Sequence, residues 1–390
     1  MLPFLERRRL EARIRQTSDR YPVTVLLGAR QTGKTELCRD LASSPDHYFD
    51  LERMFDAVRL ADNALTVLGS LSGWIVIDEA QELPDLFKTL RVLADRRDRP
   101  ARFILTGSVA PNLMKSISES LAGRAGIIEI GGFSLGEVGS HRWEELWLRG
   151  GYPPAFLAPG NAEAYEWREF MLDQMIGKDF SRWTRSDLHP TQIRKLLELV
   201  ADSNGQSWNH SAAAGILDVS YKTIQNHIEI LKGAYLIREL PPFEANVRKR
   251  LKKSPTLLFR DTGNLHNFLR VVETSHLDSH PRKGFSWEAF CIDQIIRTAE
   301  VREHDCYRYS VQGGAEIDLV LDLPGGRIGF EFKSSDAPRV TDSMKTGVAD
   351  IGLARLLVVS PGNTRSKVGE KIEAVGVERL DEICREIRDR

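Results

Sequence analysis

The stretch VTVLLGARQTGKTELCRDLA (residues 23–42) decides the fold of the N-terminal part of the chain. It begins as an apolar, β-branched run typical of a buried strand and ends in a pattern typical of a helix. Between them, GARQTGKT from Gly28 to Thr35 matches the pattern G-x-x-x-x-G-K-[ST]. A strand, a glycine-containing loop and a helix in this order predict a loop whose backbone N–H groups surround phosphate.

Each residue type in this loop suits one part of a nucleoside triphosphate. Gly28 and Gly33 allow the backbone to fold closely around phosphates, and Lys34 is expected to reach the β- and γ-phosphates. Thr35 is expected to offer its hydroxyl to Mg²⁺. The other residues expected to line the phosphates are Ala29, Arg30, Gln31 and Thr32. The loop therefore predicts ATP and Mg²⁺ as cofactors.

Polar residues also end two later strands of the predicted sheet. In WIVIDEA, Asp78 is expected to hold Mg²⁺ and Glu79 to polarise the attacking water as general base. FILTGS ends with Thr106 and Ser108, a position for contact with the γ-phosphate, although Ser108 also suits the N-cap of the next helix. Because α/β sheets bind ligands at the carboxyl ends of their strands, these side chains are expected near the phosphate loop.

In SLAGRAG, Arg124 lies beside two glycines. An arginine at this place can reach the ATP of a neighbouring subunit as an arginine finger if the chains assemble into a ring. Spacing alone favours this role no more than that of an ordinary surface arginine.

Composition restricts the class of protein. The chain has 390 residues, of which 42% are apolar and 28% charged, as in soluble globular proteins with several domains. A net charge of −1 gives no overall nucleic-acid signal, although single domains can still carry basic patches. The four scattered cysteines predict reduced thiols rather than a zinc site or a disulfide framework. Since no apolar run is long enough to span a membrane, a cytoplasmic protein is expected.

Changes of pattern along the chain predict several domains. Up to residue 133, strand-like runs alternate with helical stretches, which predicts a parallel α/β sheet with helices on both faces. The strand-like runs are VTVLLG, HYFDL, WIVIDEA, RFILTG and AGIIEI. The expected segments after this core are a small helical domain (134–187), a winged helix with a basic linker (188–253), a linker (254–280) and a second α/β domain (281–390).

The segment SAAAGILDVSYKTIQNHIEILKGAYLIREL predicts a tight helix pair followed by a strand that enters a wing. The positions expected to pack the pair are Ile216, Leu217, Val219, Ile224, Ile228 and Leu231. The positions left at or near the exposed face are Lys222, Gln225, Asn226 and His227. These residue types suit phosphate and base-edge contacts with DNA, and the basic residues Arg248, Lys249 and Arg250 can add phosphate contacts. The alternatives are a protein–protein spacer and a solvated linker.

The hairpin EIDLVLDLPGGRIGFEFKSSD (residues 316–336) carries acids and a lysine at suggestive positions. Glu331 and Lys333 are separated by one residue and therefore share a strand face, with Asp318 beside them on the preceding strand. Together with Glu288 on the preceding helix, these carboxylates are expected to hold Mg²⁺ or Mn²⁺, with Lys333 assisting phosphodiester cleavage. For a bare E-x-K pair, an exposed strand face with alternating charges is the alternative.

The chain resembles prokaryotic AAA-plus ATPases that carry a C-terminal domain of unknown function, itself similar to PD-(D/E)xK nucleases. The resemblance lies in the order of GARQTGKT, IVIDEAQ, ILTGS, SLAGR, LRGGYPPAF, RKRLKKSPTLLFRDTG, GAEIDLVL and FEFKSS. It spans nearly the whole chain, and its ATPase motifs are more specific than its C-terminal ones.

The resemblance implies an α/β fold with a P-loop AAA-plus ATPase core, a helical lid, a winged-helix domain and a PD-(D/E)xK nuclease-like domain. It implies a homo-oligomeric ring, expected to be hexameric, and favours Arg124 as an arginine finger. For a second sensor arginine in the lid, Arg149 and Arg168 are both open.

Two functions of different classes follow. In the first, ATP hydrolysis in a ring moves or remodels DNA held by the winged helix, and the C-terminal domain cuts the DNA with a metal ion. In the second, the chain is a regulatory or signalling ATPase whose C-terminal domain is a binding module that does not cut. Stimulation of ATP turnover by DNA distinguishes the two.

Overall fold

The structure is a computed structural model that describes residues 7–98, 101–108, 117–180, 189–244, 254–311, 314–335 and 340–389. The chain divides into two compact units. The first contains residues 3–132 and 233–235, and the second contains residues 133–232 and 236–390. No helix in the described ranges is long and apolar enough to cross a membrane.

Within the described residues, the first unit is built on a five-stranded parallel sheet of order β2-β3-β4-β1-β5. The strands are β1 (Val23–Gly28), β2 (Tyr48–Asp50), β3 (Gly73–Asp78), β4 (Ala101–Ser108) and β5 (Ala125–Glu129). The helices are α1 (Arg8–Arg20), α2 (Lys34–Arg39), α3 (Met54–Gly69) and α4 (Leu86–Ala94). The predicted parallel α/β sheet is confirmed, with its strands where the apolar runs indicated.

The core of the first unit lies on both faces of this sheet. Every residue of β1 is buried. Leu27 packs on one face with Leu60 of α3 and Leu90 of α4, whereas Leu26 packs on the other with Ile14 of α1. A parallel strand that is covered on both sides needs apolar residues at consecutive positions, which is why these strands do not alternate in sequence.

The second unit begins with helices. They are α5 (Leu135–Val138), α6 (Trp143–Arg149), α7 (Pro153–Phe156), α8 (Asn161–Gln174), α9 (Pro190–Asp202), α10 (His210–Leu217) and α11 (Tyr221–Gly233). The strand β6 (Ile237–Leu240) follows and pairs antiparallel with β7 (Thr256–Phe259). Three more helices then complete this part: α12 (Thr262–Phe268), α13 (Thr274–Ser279) and α14 (Lys283–Thr298).

A six-stranded sheet of order β12-β13-β11-β10-β9-β8 closes the described part of the second unit. Its strands are β8 (Cys306–Ser310), β9 (Glu316–Leu323), β10 (Gly326–Phe332), β11 (Arg355–Ser360), β12 (Arg365–Lys367) and β13 (Ile372–Gly376), with helices α15 (Asp342–Asp350) and α16 (Leu380–Arg388). The strands β9 and β10 form the expected antiparallel hairpin, and β10 pairs parallel with β11. The elements from α14 to β11 follow the helix–strand–strand–strand–helix–strand order expected from the sequence.

Two expectations for the helix pair α10–α11 are wrong. Ile216 is 66% exposed near the end of α10 instead of packing between the helices, and His227 is buried instead of exposed. His227 shares the inner face of α11 with Ile224 and Leu231, because residues three and four apart on a helix lie on one side. The polar ring of His227 suggests an exposed position, whereas its spacing from Ile224 and Leu231 places it inside.

Candidate functional site

The backbone geometry of the phosphate loop restricts which residues it can contain. A side chain at Gly28 would meet the carbonyl oxygen of Ile130 at 1.9 Å, so only glycine fits where β1 ends. Gln31 and Gly33 have positive φ values of 60° and 85°. Left-handed backbone at two positions turns the chain sharply between β1 and α2, as the motif predicted.

Lys34 is buried inside this loop. Its Nζ donates to the carbonyl oxygens of Gly28, at 2.9 Å, and of Ala29, at 2.7 Å. Burial lowers the pKa of Lys34 to about 8, against the opposing influence of the Glu79 and Asp78 carboxylates. The ammonium group therefore lies in a buried position, close to the carboxylates of Glu79 and Asp78 and to the backbone that phosphate would contact.

A buried arginine outside the motif holds the loop in place. Arg7 donates through Nη1 to the carbonyl oxygen of Thr32 at 2.9 Å and through Nη2 to those of Gly131 and Gly132, both at 3.1 Å. The Thr32 hydroxyl donates to the carbonyl oxygen of Ala29 at 3.0 Å. Sequence reasoning missed Arg7, because nothing near it in the chain signals a contact with residues so distant.

Asp78 lies buried at the carboxyl end of β3 within a network of donors. Its Oδ2 accepts from the Tyr48 hydroxyl at 2.6 Å, and its Oδ1 accepts from the Thr106 hydroxyl and from the Glu79 N–H at 3.2 Å. Burial, reinforced by the bond to Asp78, raises the pKa of Tyr48, so the phenol stays a donor. The predicted residues Asp78 and Thr106 thus meet, whereas Tyr48 on the neighbouring strand β2 was not foreseen. The side chain of Ser108 lies outside the described residues.

Glu79 directly follows β3 with left-handed backbone, at φ 52° and ψ 47°. Its carboxylate accepts from the Gln81 amide, and its N–H also lies 3.3 Å from the Thr106 hydroxyl. Such a conformation is strained for a non-glycine residue, with a cost on the order of 1 kcal/mol. The position of Glu79 at the end of β3 and its contact with Gln81 together orient the carboxylate that is predicted to act as general base.

Mg²⁺ fits the oxygen donors at this place. Thr35 follows Lys34 in the first turn of α2 and offers a hydroxyl, and Asp78 offers a carboxylate. Among the described residues, Oδ2 of Asp78 accepts one hydrogen bond, from the Tyr48 hydroxyl. This carboxylate oxygen therefore keeps a lone pair for a metal ion. Hydroxyl and carboxylate oxygens are ligands that Mg²⁺ prefers.

Arg124 lies at the end of the sheet where β1 begins, whereas its own phosphate loop lies at the end where β1 finishes. Its carbonyl oxygen accepts from the N–H of Val23, the first residue of β1, whereas the loop follows the last. A strand rises about 3.3 Å per residue, so β1 separates the two by roughly 20 Å. The guanidinium binds Asp95 through two bonds of 2.6 and 2.9 Å and is 34% exposed. Arg124 therefore does not reach the phosphate loop of its own chain.

The structure brings the predicted C-terminal residues together. Asp318 accepts from the N–H of Phe332 at 2.9 Å, and Lys333 donates to Glu331 at 3.0 Å. Glu288, Asp318 and Glu331 are all buried. Burial raises the pKa of each carboxyl, and the nearby Asp318 raises those of Glu288 and Glu331 further, in Glu331 to about 8. Lys333 has a raised pKa because the Glu331 carboxylate outweighs the effect of burial.

Arg308 of β8 lies among these acids, where sequence reasoning placed no residue. It donates to Glu288 through Nη1, to Glu316 at 2.7 Å and to Asp318 at 3.5 Å. In the described part of the chain, no group of three or more Asp, Glu, His or Cys side chains is arranged to hold a metal ion. With Arg308 bound to Glu288 and Asp318, the three acids Glu288, Asp318 and Glu331 do not fit the metal expected from the sequence.

Other predicted residues have mixed outcomes. Lys222, Gln225 and Asn226 are exposed on α11, as expected. His227 is excluded as a DNA contact, since burial also lowers its pKa and leaves the ring neutral. The basic residues Arg248, Lys249 and Arg250 lie outside the described residues.

Both candidates for a second sensor arginine, Arg149 and Arg168, are bound to partners within the second unit. Arg168 is buried and binds the Arg149 carbonyl oxygen and the Asn267 side chain, both at 2.7 Å. Arg149 binds the Asn161 side chain at 2.7 Å and Glu145 at 2.9 Å. Both guanidinium groups thus hold the helices of this unit together.

Comparisons with known proteins match three segments of the chain. Sequence profiles assign an AAA domain to residues 20–139 and domains of unknown function to residues 140–275 (DUF8612) and 283–380 (DUF4143). The uncharacterized proteins Mb2031c of Mycobacterium bovis and Rv2008c of Mycobacterium tuberculosis are each 39% identical over 97% of this chain and 85% of their own. The Walker-type ATPase PABY2304 of Pyrococcus abyssi is 18% identical, with a TM-score of 0.47 over 68% of this chain and 96% of that chain.

The AAA-domain match coincides with the sheet that assembles the phosphate loop, Asp78, Glu79 and Thr106. Sequence profile and fold therefore agree on the same segment of the chain. The chain belongs to the family of Mb2031c and Rv2008c, and its N-terminal part carries an AAA-type P-loop ATPase domain, a kind that binds nucleotide and usually Mg²⁺.

Proposed function

We propose that the chain is an AAA-plus DNA-processing protein, in which ATP hydrolysis in a homo-oligomeric ring, expected to be hexameric, drives work on DNA that includes metal-dependent cleavage. The observation that carries the DNA part is the buried acid cluster of Glu288, Asp318 and Glu331 beside Lys333, on the expected order of helices and strands. The helical lid (134–187), the winged helix (188–253) and the nuclease-like domain (281–390) belong to this proposal.

The nucleotide site provides a distinct task for each side chain. Lys34 would exchange its bonds to loop carbonyls for the β- and γ-phosphate oxygens, which also compensate its buried charge. Glu79 would take the proton of the attacking water, and Thr106 would orient Asp78 and respond to the γ-phosphate. Thr35 and Asp78 would hold Mg²⁺, which supplies Lewis-acid charge at the phosphates when bound.

Removing the Tyr48 hydroxyl is expected to weaken the hold on Mg²⁺. In Tyr48→Phe, Asp78 loses a hydrogen bond that fixes its Oδ2, and a bond to a charged group contributes about 1.5 kcal/mol, or roughly tenfold. The Mg²⁺ concentration that half-saturates ATP turnover should therefore rise by up to about tenfold. A Mg²⁺ titration of steady-state ATP hydrolysis measures this.

The matched control is Tyr21→Phe, which removes the hydroxyl of an exposed tyrosine at the end of α1. It should leave the Mg²⁺ dependence unchanged. Identical titration curves for Tyr48→Phe and the wild type would contradict the role given to Tyr48.

The exposed face of α11 is the proposed DNA contact. Gln225 and Asn226 lie three and four residues after Lys222, which places all three on one side of α11, and all three are exposed. Lys222 supplies a cation for phosphate. Gln225 and Asn226 suit base edges or phosphates. The hairpin of β6 and β7 follows α11, which agrees with a helix pair and a wing.

Arg308 favours a second candidate function. Because this guanidinium neutralises Glu288 and Asp318, the acid cluster can be a stable element of a C-terminal module that binds without cutting. The chain would then be a regulatory or signalling ATPase that uses nucleotide state to switch assembly.

One experiment on DNA separates the two functions. The purified chain is incubated with labelled linear duplex, single-stranded and branched DNA, with and without ATP and Mn²⁺, while ATP turnover and strand cleavage are followed. At least one DNA form should stimulate turnover several-fold, and replacing Lys222, Gln225 and Asn226 together by alanine should abolish the stimulation but keep basal turnover. Cleavage, where it occurs, should be lost in Glu331→Ala and in Lys333→Ala.

The control for the DNA contact is Lys195→Ala, which removes an exposed lysine from α9 and should leave the stimulation intact. ATP turnover that ignores every DNA form would favour the regulatory function. Cleavage that persists in Glu331→Ala and Lys333→Ala would remove the nuclease role from the acid cluster.

A further inference from the structure

Arg308 has more carboxylate partners and is less exposed to solvent than an ordinary surface arginine. Its guanidinium contacts Glu288, Glu316 and Asp318, and its side chain is only 13% exposed. A fork of donors that reaches several carboxylates is held by geometry as well as charge. Arg308 thus binds two of the carboxylates, Glu288 and Asp318, that the sequence predicted as metal ligands.

The backbone of Arg308 is fixed as well. Its N–H donates to the carbonyl oxygen of Pro241 at 3.0 Å, and its carbonyl oxygen accepts from the N–H of Phe243 at 2.6 Å. The pairing of β8 with β9 shifts register between Tyr307 and Tyr309, so Arg308 sits at an irregularity of the strand. Such irregularities redirect a side chain, here toward the acids.

Charge balance at the cluster calls for a cation. Four carboxyl groups, those of Glu288, Glu316, Asp318 and Glu331, share two cations, Arg308 and Lys333. Three of these acids are buried, where ions without partners are costly. Burial raises the pKa of Asp318 and Glu288, which Arg308 opposes. Without Arg308, the acids must take up protons or another cation.

We infer that Arg308 is an internal cation that occupies the acid cluster in place of a divalent ion and excludes that ion while it stays bound to Glu288 and Asp318. The inference rests on the proposed metal-dependent role of the cluster and adds its regulation. Since the guanidinium and a divalent ion repel each other and need the same oxygens, only one of them can be held at a time.

Arg308→Gln is the direct test. Mn²⁺ is titrated into the full-length protein without nucleotide, and binding is measured by the loss of the free Mn²⁺ electron-paramagnetic-resonance signal. The variant should bind Mn²⁺ at least about tenfold more tightly than the wild type, because a full positive charge beside two ligand carboxylates is removed. The readout is binding and does not require catalysis.

Three further variants assign the gain to this cluster. Arg308→Lys keeps a cation and should bind Mn²⁺ about as weakly as the wild type. The double variant Arg308→Gln with Asp318→Asn should lose the gain, which distinguishes the cluster from the phosphate loop. Glu316→Gln removes a half-exposed partner of Arg308 but leaves the positive charge of Arg308 beside Glu288 and Asp318, so it should give no gain in Mn²⁺ affinity.

Arg308→Met also removes the positive charge and keeps the inference testable if Arg308→Gln does not fold, which circular dichroism would reveal. Wild-type affinity for Mn²⁺ in folded Arg308→Gln, or in Arg308→Met when the former is unfolded, would overturn the inference. A gain that survives Asp318→Asn would overturn it too. DNA stimulation of ATP turnover is measured separately, so the proposed function can fail while the role of Arg308 stands.

Discussion

Glu79→Gln is expected to bind ATP normally and to hydrolyse it about 100- to 10,000-fold more slowly, the range for loss of a general base. Glutamine has the size of glutamate and can still contact Gln81, so the strand end and its left-handed backbone should persist. It cannot accept a proton from water. Equilibrium binding of a fluorescent ATP analogue and steady-state phosphate release measure the two parts of this expectation.

Glu82→Gln is the matched control, since Glu82 is exposed on the turn that follows Glu79. It removes an equal charge close by and should keep turnover within about twofold of the wild type, as surface substitutions do. Normal turnover in Glu79→Gln would withdraw the assignment of Glu79 as base. An equally large loss in Glu82→Gln would show that charge in this turn, rather than proton transfer, is at work.

Arg124→Ala is expected to lower ATP turnover about 1,000-fold without weakening ATP binding, as for an arginine finger supplied by a neighbour. The physical reason is position, since Arg124 lies at the edge of the sheet away from its own phosphate loop. A mixture of Arg124→Ala with Lys34→Ala should regain part of the lost turnover. In such a ring, one subunit contributes the intact loop and its neighbour contributes the intact arginine.

Arg96→Ala is the control for this experiment. Arg96 follows α4 next to Asp95, the partner of Arg124. It binds Asp98 at 2.7 Å and contacts the Gly69 carbonyl oxygen, so its loss tests whether any ion pair here matters. It should leave turnover near the wild-type value. If the mixture stays inactive, or sedimentation shows only monomers with ATP bound, Arg124 has no role in trans.

Much of the first unit could be predicted because its signals are local. The motif from Gly28 to Thr35 requires a strand before it and a helix after it, and both are present. Asp78 and Thr106 could be expected near each other because parallel strands end at one edge. The register of an antiparallel hairpin likewise predicted that Asp318 lies beside Glu331.

The missed contacts join residues whose separation in the chain carries no pattern. Tyr48 reaches Asp78 only because β2 is the strand next to β3, and the order of strands in a sheet is not written in their periodicity. Arg308 reaches Glu288 because β8 and α14 pack in the second unit. His227 shows a different failure, since a polar residue type suggested exposure while helical spacing placed it inside.

The sequence by itself determined the kind of chemistry available: a phosphate loop, carboxylates at strand ends and an acidic hairpin with Lys333. These follow from spacing within a strand, loop or helix, where covalent geometry limits what neighbours can do. Only the tertiary structure decided which charges meet, and so placed Tyr48 on Asp78 and Arg308 among the acids. The reason is that a buried charge takes its properties from partners within a few ångströms in space, and folding alone chooses those partners.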